Sequence, residues 1–309
     1  MNEITFFGLT FELSPVAFTL PIGNGWEVYW YGIMIALGFL LAIFYGIKRA
    51  PLLGIDTDRL LDGIIITVPI AILCARAYYI IFDPDTTFAD FLKIHDGGLA
   101  IYGGIIGAMI GAAISCKTRK LKFIDTVDLV APCLFIGQAI GRWGNFFNQE
   151  AFGTNTTLPW GMYSEGSSTS TYSRIIAMNN PDLNPELPVH PCFLYEFIWC
   201  AIGFLVLNCI IKRRRFRGQL ILFYGMWYGL GRAFIEAFRT DSLMIGSLRV
   251  SQWLSVAVAI VSAVWYFVLS AKSKSNGERE EYVPVFGGRE FSETEEQESD
   301  DDDSNETES

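Results

Sequence analysis

Metal ligands are scarce in this sequence. It has only two histidines, His95 and His190, and its six cysteines are scattered without a C-x-x-C pair. Structural zinc sites draw four ligands from closely spaced cysteines and histidines, so no metal site is predicted. Most of the cysteines lie in apolar runs, where free cysteine is usually a small buried hydrophobic residue.

Two further features are missing. The first residues, MNEITFFGLTFELSP, have no basic segment before their apolar part, so they do not resemble a cleaved signal peptide, and we expect them to lie flat at a membrane interface. No internal repeat is visible, which argues against the inverted-repeat transporter folds.

Apolar residues dominate the chain. Of its 309 residues, 51% are hydrophobic and 15% aromatic, too many for an ordinary soluble domain. A helix needs about 20 apolar residues to cross a bilayer, and seven runs approach that length. We therefore predict an all-α integral membrane protein with seven transmembrane helices, at about 28–47, 60–82, 98–115, 123–141, 193–211, 219–237 and 250–270.

Negative charge is concentrated at the C-terminal end. Residues 278–309 hold 14 Asp and Glu against two Arg, whereas the formal charge of the whole chain is −10. Such a segment cannot bury enough apolar surface to fold. We predict a transmembrane catalytic domain over 1–275 and an acidic, disordered cytoplasmic tail over 276–309.

Basic residues indicate the orientation of the spans. Fourteen Lys and Arg follow the first, third, fifth and seventh runs, and four lie in the intervening loops. Basic loops stay in the cytoplasm, so the N-terminus is predicted outside and the C-terminus inside. The fourth run is the weakest, because Asp125, Asp128 and Pro132 lie within it; we expect it to be tilted, short or buried by its neighbours.

Polar side chains fall at one depth in this topology. Charges inside spans are costly and usually functional, and those in the second, fourth and sixth runs lie towards the outer face, as do several polar residues of the odd-numbered runs. The set comprises Arg76, Arg142, Arg232, Glu236, Tyr31, Tyr102, Tyr195 and Glu196. This convergence predicts a site at the outer face of the membrane.

Two arginines in this set suit an anionic lipid headgroup, because a guanidinium binds phosphate through two parallel hydrogen bonds. Asn145 and Asn148 follow Arg142 and add neutral hydrogen-bonding groups. Two structural alternatives remain: Arg232, Glu236 and Arg239 share a helix face and could satisfy one another, or the arginines could simply reach for the interface. The second fits Arg249 better than Arg142 or Arg232.

Glycines punctuate the third run. Gly103, Gly107 and Gly111 are four residues apart, a spacing that lets helices approach closely in lipid. We interpret most of these glycines as a packing surface without a chemical role.

Six segments follow one another along the chain: WYG at 30–32, ARAYY at 75–79, DGGLAIYGG at 96–104, GRWGNFFNQEAFG at 141–153, HPCFLYE at 190–196 and YGLGRAFIEAFRTD at 228–241. The fourth segment contains the pattern GRxGNFxNxExxG. Together these segments resemble the prolipoprotein diacylglyceryl transferase family, and the resemblance covers about residues 28–270.

This resemblance implies transfer of the sn-1,2-diacylglyceryl group of phosphatidylglycerol to the lipobox cysteine of a prolipoprotein signal peptide, releasing glycerol phosphate, without a cofactor. It implies a multi-pass protein of the bacterial cytoplasmic membrane, surrounded by lipid and with no nucleic-acid partner. By motif position it implies catalytic roles for Arg142, Arg232, Tyr102 and Glu236. Phosphatidylglycerol binding is expected from Arg142, Asn145, Tyr31, Gly153, Arg76, Asn148 and Arg239.

The resemblance leaves two questions open. Many members of the family have His where this chain has Tyr102, and Tyr is the weaker base at neutral pH. The base lies elsewhere, or a nearby Arg lowers the pKa of Tyr102, or Tyr102 only positions the lipid. The outer segment at about 142–192 is expected to be a lid or a peptide-docking surface. A transporter of an anionic solute or lipid is the alternative function; it would require polar residues throughout the depth of the membrane.

Overall fold

The computed structural model describes residues 2–21, 25–83, 86–87, 91–92, 98–165, 184, 187–240, 244–245, 248–276, 285–286 and 289–290. This part of the chain is mostly helical. Its two compact units are Met1–Tyr45 with Val130–Arg279, and Gly46–Leu129 with Glu280–Ser309. The long helices are α1 (Trp30–Arg49), α2 (Thr57–Phe82), α3 (Ile101–Thr118), α4 (Phe123–Asn148), α5 (Cys192–Ile210), α6 (Gln219–Glu236) and α7 (Val250–Asn276).

Six of these helices are long and apolar enough to cross a membrane: α1 to α5 and α7. Their outer surfaces expose large apolar side chains, as expected for a lipid environment; on α7, Phe267 is 66% exposed. The fourth predicted span is not short, but it is the most buried of the six. Helix α6, which carries Arg232 and Glu236, is not among these six.

Strands precede the first helix, so the all-α prediction is wrong for the N-terminal residues. β1 (Asn2–Phe6) and β2 (Leu9–Leu13) form an antiparallel hairpin, and β5 (Tyr163–Glu165) pairs with the other edge of β1. Phe7 and Gly8 make the turn with φ of 51° and 73°, the left-handed pair that favours a two-residue hairpin loop. A second antiparallel pair joins β3 (Val16–Leu20) to β4 (Trp26–Tyr29).

The first sheet is anchored to the helices by a small hydrophobic core. Ile4 is fully buried, and the ring centroids of Phe6 and Phe193 are 5.8 Å apart. The N-terminal hairpin is therefore packed against the ends of α4 and α5. The core residues are Ile4, Leu13, Phe146, Phe152, Met162, Val189 and Phe193.

In the second unit, glycines of α3 lie directly against α2. A Cβ atom at Gly107 would lie 2.6 Å from Cys74 Cβ, and one at Gly111 would lie 2.8 Å from Thr67 Cα. Such distances leave no space for a side chain. The predicted packing role of these glycines is confirmed.

In the first unit, a pair of tryptophans joins α5 to α6. The rings of Trp199 and Trp227 stack with centroids 4.6 Å apart. Each indole N–H donates to the main-chain carbonyl of the other tryptophan, at 2.8 and 2.9 Å. Gly203 and Gly231 make room, since a Cβ at either would contact an indole ring. This crossing fixes the spacing of the helices that carry Glu196 and Arg232.

Short strands occupy the C-terminal half. β6 (Met244–Ile245) pairs with β7 (Leu248–Arg249) before α7. Residues 166–183, within the predicted outer segment, lie outside the described residues, as does nearly all of the acidic tail. The tail residues that are described form β8 (Val285–Phe286) and β9 (Arg289–Glu290), which pair antiparallel. The disorder of the tail stays a prediction.

Gly107→Ala should destabilise the second unit, because its new Cβ meets the backbone of α2. Overpacking of this kind costs about 1–3 kcal/mol. Gly104→Ala is the matched control on the same helix, since its Cβ would meet only Ala75 Cβ at 3.7 Å. Denaturant unfolding in detergent measures both variants. Equal effects would show that α2 and α3 do not depend on this close approach.

Candidate functional site

Five charged side chains meet where α4, α5 and α6 come together. Arg142 lies near the end of α4, Glu196 near the start of α5, and Arg232 and Glu236 in the last two turns of α6. Arg239 follows three residues later. We call Arg142, Glu196, Arg232, Glu236 and Arg239 the Arg–Glu cluster.

Glu196 is the centre of this cluster. Its Oε2 lies 2.5 Å from Arg142 Nη2, and its Oε1 lies 2.5 Å from Arg232 Nη1. Arg239 Nη1 approaches Oε1 at 3.7 Å. One carboxylate therefore links arginines from α4, from α6 and from the segment after α6.

Glu236 holds the other side of the same arginines. Its Oε2 lies 2.6 Å from Arg232 Nη2 and 3.9 Å from Arg239 Nε. The side chain of Glu236 is 1% exposed and that of Glu196 is 4% exposed. Buried carboxylates are tolerated only when they are paired. As predicted, Glu236 contacts both Arg232 and Arg239. Arg232 and Glu236 form an ion pair, which is the first of the two structural alternatives.

A second branch of polar contacts begins at Arg142. Its Nη1 donates to Asn145 Oδ1 at 3.3 Å, and Asn145 Nδ2 donates to Glu150 Oε1 at 3.0 Å. Asn148 Nδ2 approaches the same oxygen at 3.5 Å. The chain turns back after α4 through Gln149, whose φ is 54°. Glu150 consequently returns to the last turn of α4.

Tyr31 and Gly144 fit together beside this branch. A Cβ at Gly144 would lie 2.7 Å from Tyr31 Cδ2, so the ring of Tyr31 packs directly on the backbone of α4. The stacking of Trp30 on Phe147, with centroids 5.0 Å apart, supports the same contact. Tyr31 is thereby held next to the residue that precedes Asn145.

Gly153 joins the loop after α4 to the segment that carries Arg239. The two residues form an antiparallel bridge, and Thr154 N donates to Phe238 O at 2.8 Å. A Cβ at Gly153 would lie 2.7 Å from His190 Cβ and 2.9 Å from Cys192 Sγ. The position therefore excludes any side chain.

Arg249 is also a part of this region. Its Nη1 donates to the main-chain carbonyl of Glu236, and Gln252 Nε2 donates to Ala233 O at 3.0 Å. Both side chains bond carbonyls in the last turn of α6, where a cation is favoured. Arg249 thus caps a helix, a role that the interfacial interpretation of this residue did not include.

Arg76 and Tyr102 belong to the second unit. Arg76 is 3% exposed and donates to Gly98 O at 3.0 Å and to Phe91 O at 3.3 Å. Tyr102 is 49% exposed, with its ring centroid 6.3 Å from that of Tyr78. Among the described residues Tyr102 has no hydrogen bond or ion pair, so no described arginine contacts its hydroxyl. Their roles in substrate binding and catalysis stay predictions.

The structure brings together most of the predicted residues of the first unit, but sequence reasoning missed its centre. The sequence placed Glu196 among the polar residues near the outer face but predicted no ion pairs for it. Glu150 appeared only within the GRWGNFFNQEAFG segment, with no role assigned. A carboxylate inside an otherwise apolar run was the available signal for Glu196. Within the described residues, no group of three or more His, Cys, Asp or Glu side chains is placed to hold a metal ion.

Comparison with known proteins gives a consistent result. A family model described as prolipoprotein diacylglyceryl transferase matches residues 15–268. Proteins named phosphatidylglycerol–prolipoprotein diacylglyceryl transferase are similar to the chain in Clostridium novyi (41% identity; 85% of this chain and 98% of the relative) and Finegoldia magna (41%; 82% and 94%). The protein of that name from Bacillus cereus ATCC 14579 is 41% identical over 83% of this chain and 92% of its own length.

Glu196→Gln should destabilise the protein strongly. Removing one partner of a buried ion pair costs about 3–5 kcal/mol, and here three arginines lose their shared carboxylate. Glu12→Gln, on exposed β2, is the control and should change the free energy of unfolding by less than about 0.5 kcal/mol. Denaturant unfolding in detergent compares them. A Glu196→Gln variant as stable as the control would contradict the central role of Glu196.

Proposed function

Because the chain belongs to the prolipoprotein diacylglyceryl transferase family, we propose that it transfers the sn-1,2-diacylglyceryl group of phosphatidylglycerol to the lipobox cysteine of a prolipoprotein. The reaction forms a thioether, releases glycerol phosphate and is the first step of bacterial lipoprotein maturation. Family membership supports the reaction, and the Arg–Glu cluster supplies groups suited to it.

The charge balance of the cluster carries this proposal. Its three arginines and two glutamates leave one positive charge in excess. Phosphatidylglycerol has a single negative charge on its phosphodiester, so one bound headgroup neutralises the cluster. A buried, unscreened site of this kind favours one phosphodiester over a neutral lipid.

Arg142 and Arg232 are the proposed phosphate ligands. Glu196 holds both guanidinium groups at 2.5 Å, and Glu236 orients Arg232 from the other side. Arginines that are fixed before the substrate arrives lose little rotamer freedom on binding. Asn145 is proposed to contact the headgroup beside Arg142, with Tyr31, Asn148, Gly153 and Arg239 shaping the same site.

The arginines also suit the departure of the leaving group. The cysteine must be a thiolate to attack carbon, and the bond from that carbon to the phosphate oxygen then breaks. Charge grows on the phosphate as it leaves, and donors already aimed at it stabilise the transition state. Glu236 is proposed to keep Arg232 aimed at this oxygen.

A transporter of an anionic solute or lipid is less consistent with the helices of the site. The charged residues of α5 and α6 are Glu196, Arg232 and Glu236, and all lie at one end of their helices. A solute pathway would place charged groups along the length of these helices.

We further propose that α6 completes a set of seven spans, with the N-terminus outside and the cluster at the outer leaflet of the bacterial cytoplasmic membrane. The intramembrane charges of α6 are paired with Glu196 and with one another, which lowers their cost in the bilayer. The basic loops support the orientation. The segment at about 142–192 would then lie outside, where the prolipoprotein arrives.

The number of spans decides where the C-terminus lies. Reporter fusions after Arg119 and Ser309 should fluoresce as cytoplasmic green fluorescent protein, and a fusion after Asn184 should show alkaline phosphatase activity. Phosphatase activity at Ser309, with Asn184 still outside, would mean that α6 does not cross the membrane.

Arg142→Ala and Arg232→Ala should each lower transfer by about 100-fold or more, the loss typical of a missing oxyanion donor. Lysine at either position should restore part of the rate, because it keeps the charge without the planar fork. The assay combines purified protein, phosphatidylglycerol and a lipobox peptide, and measures the peptide mass and the released glycerol phosphate.

Two controls accompany this assay. A Cys→Ser peptide should gain no diacylglyceryl mass. Arg119→Ala removes an exposed ion pair with Asp62, whose side chains are 44% and 46% exposed, and should transfer normally. Near-normal transfer by both Arg142→Ala and Arg232→Ala would exclude the phosphate-ligand role.

A further inference from the structure

His190 is a titratable residue beside the cluster that the mechanism above does not use. Its Nδ1 lies 3.0 Å from Tyr195 Oη, and Trp160 Nε1 donates to the same oxygen at 2.9 Å. Within the part of the chain that the structure describes, Nε2 has no hydrogen-bond partner. One ring nitrogen is thus held by a hydrogen-bonded chain, while the other is available.

The backbone fixes His190 next to the segment that carries Arg239. His190 N donates to Thr154 O at 3.0 Å and Gly153 N donates to His190 O at 2.9 Å. The rings of His190 and Phe238 have centroids 4.9 Å apart, and Phe238 directly precedes Arg239. Tyr195 likewise directly precedes Glu196. His190 therefore lies beside the segment that carries Arg239, and Tyr195 is on the same helix as Glu196.

The surroundings of His190 favour its neutral form. Partial burial lowers the pKa of His190 below its ordinary value of 6.5. The titratable groups close to it are Tyr195 and Cys192 of α5, and the charged residue on the adjoining segment is Arg239; the packed Phe238 and Trp160 side chains do not titrate. A neutral imidazole at pH 7 is a proton acceptor well matched to a thiol.

We propose that His190 is the general base that accepts the proton of the prolipoprotein cysteine thiol, with Tyr195 holding its ring in position. This rests on the proposed transferase function and adds a base to the phosphate ligands proposed above. This role requires the neutral tautomer protonated at Nδ1, which donates to Tyr195 Oη and leaves the Nε2 lone pair able to accept a proton.

The proton and electron balance of the step is complete. The thiol proton moves to His190 Nε2, the sulfur forms a bond to the terminal glyceryl carbon, and the bond from that carbon to the phosphate oxygen breaks. Its electron pair leaves with glycerol phosphate, whose second pKa of about 6 lets it take the proton back from His190. In the imidazolium form, Nδ1–H and Trp160 Nε1–H both donate to Tyr195 Oη, which has two acceptor lone pairs.

A peptide with selenocysteine in place of cysteine separates a base from a structural residue, because a selenol is already ionised at neutral pH. In His190→Asn, the amide nitrogen takes the place of Nδ1 and can still donate to Tyr195. With the cysteine peptide, this variant should lose about 100-fold or more of the transfer rate. With the selenocysteine peptide, it should stay within a few-fold of the unchanged protein.

The unchanged protein supplies a second measurement that needs no variant. Its rate with the cysteine peptide should fall on the acid side with an apparent pKa below 6.5, whereas the rate with the selenocysteine peptide should fall only as its own selenol becomes protonated. Tyr195→Phe should move the apparent pKa and keep part of the rate.

Two outcomes would overturn the role of His190. An equal loss with both peptides would show that it only supports the structure, and full activity of His190→Asn with the cysteine peptide would place the base elsewhere. Failure of the unchanged protein to transfer to either peptide would instead contradict the proposed function itself.

Discussion

The buried carboxylate of Glu196 is the interaction on which the first unit depends. It lies within 2.5 Å of guanidinium groups from α4 and α6, two helices that are far apart in sequence. Arg232 also pairs with Glu236 on its own helix. The carboxylate that pairs with Arg142 is Glu196, which lies on a different helix. In a low-dielectric interior an uncompensated charge is costly. The three helices must therefore meet with their polar ends together.

Close backbone contacts make that meeting possible. Gly231 admits the Trp199 ring between α5 and α6, Gly144 admits the Tyr31 ring against α4, and Gly153 brings His190 and Phe238 together. Each of these glycines faces a bulky group or a main-chain atom at a distance that no Cβ would permit. The Trp199–Trp227 pair then satisfies its own indole N–H groups through main-chain carbonyls, which buried tryptophan requires. Packing and polar satisfaction are achieved by the same residues.

The helix that contributes most to the cluster carries charges that are costly in lipid. Helix α6 carries Arg232 and Glu236, and it is the one long helix in the described part of the chain that falls outside the set apolar enough to span. Its charges are matched by α5, and its last carbonyls are bonded by Arg249 and Gln252. Of its two charged residues, Arg232 is proposed to bind phosphate and Glu236 to orient it. Ion pairing thus compensates the buried charges of this helix.

Sequence alone determined the helices, because a span in lipid must satisfy its backbone internally and needs a long apolar run to do so. It also identified the packing face of α3 from the spacing of Gly103, Gly107 and Gly111. The cost of an intramembrane charge drew attention to Arg142 and Arg232, and the structure brings both to one carboxylate. The N-terminal hairpin was missed because Phe7–Gly8 is not one of the dipeptides typical of a two-residue turn, and because the apolar character of the segment was interpreted as an interfacial preference. Only the tertiary structure decided three sets of contacts. Glu196 lies between three arginines, Glu150 accepts from Asn145, and hydrogen bonds join Trp160, Tyr195 and His190. Each depends on which side chains from distant parts of the sequence come within hydrogen-bonding distance, and local composition holds no information about that distance.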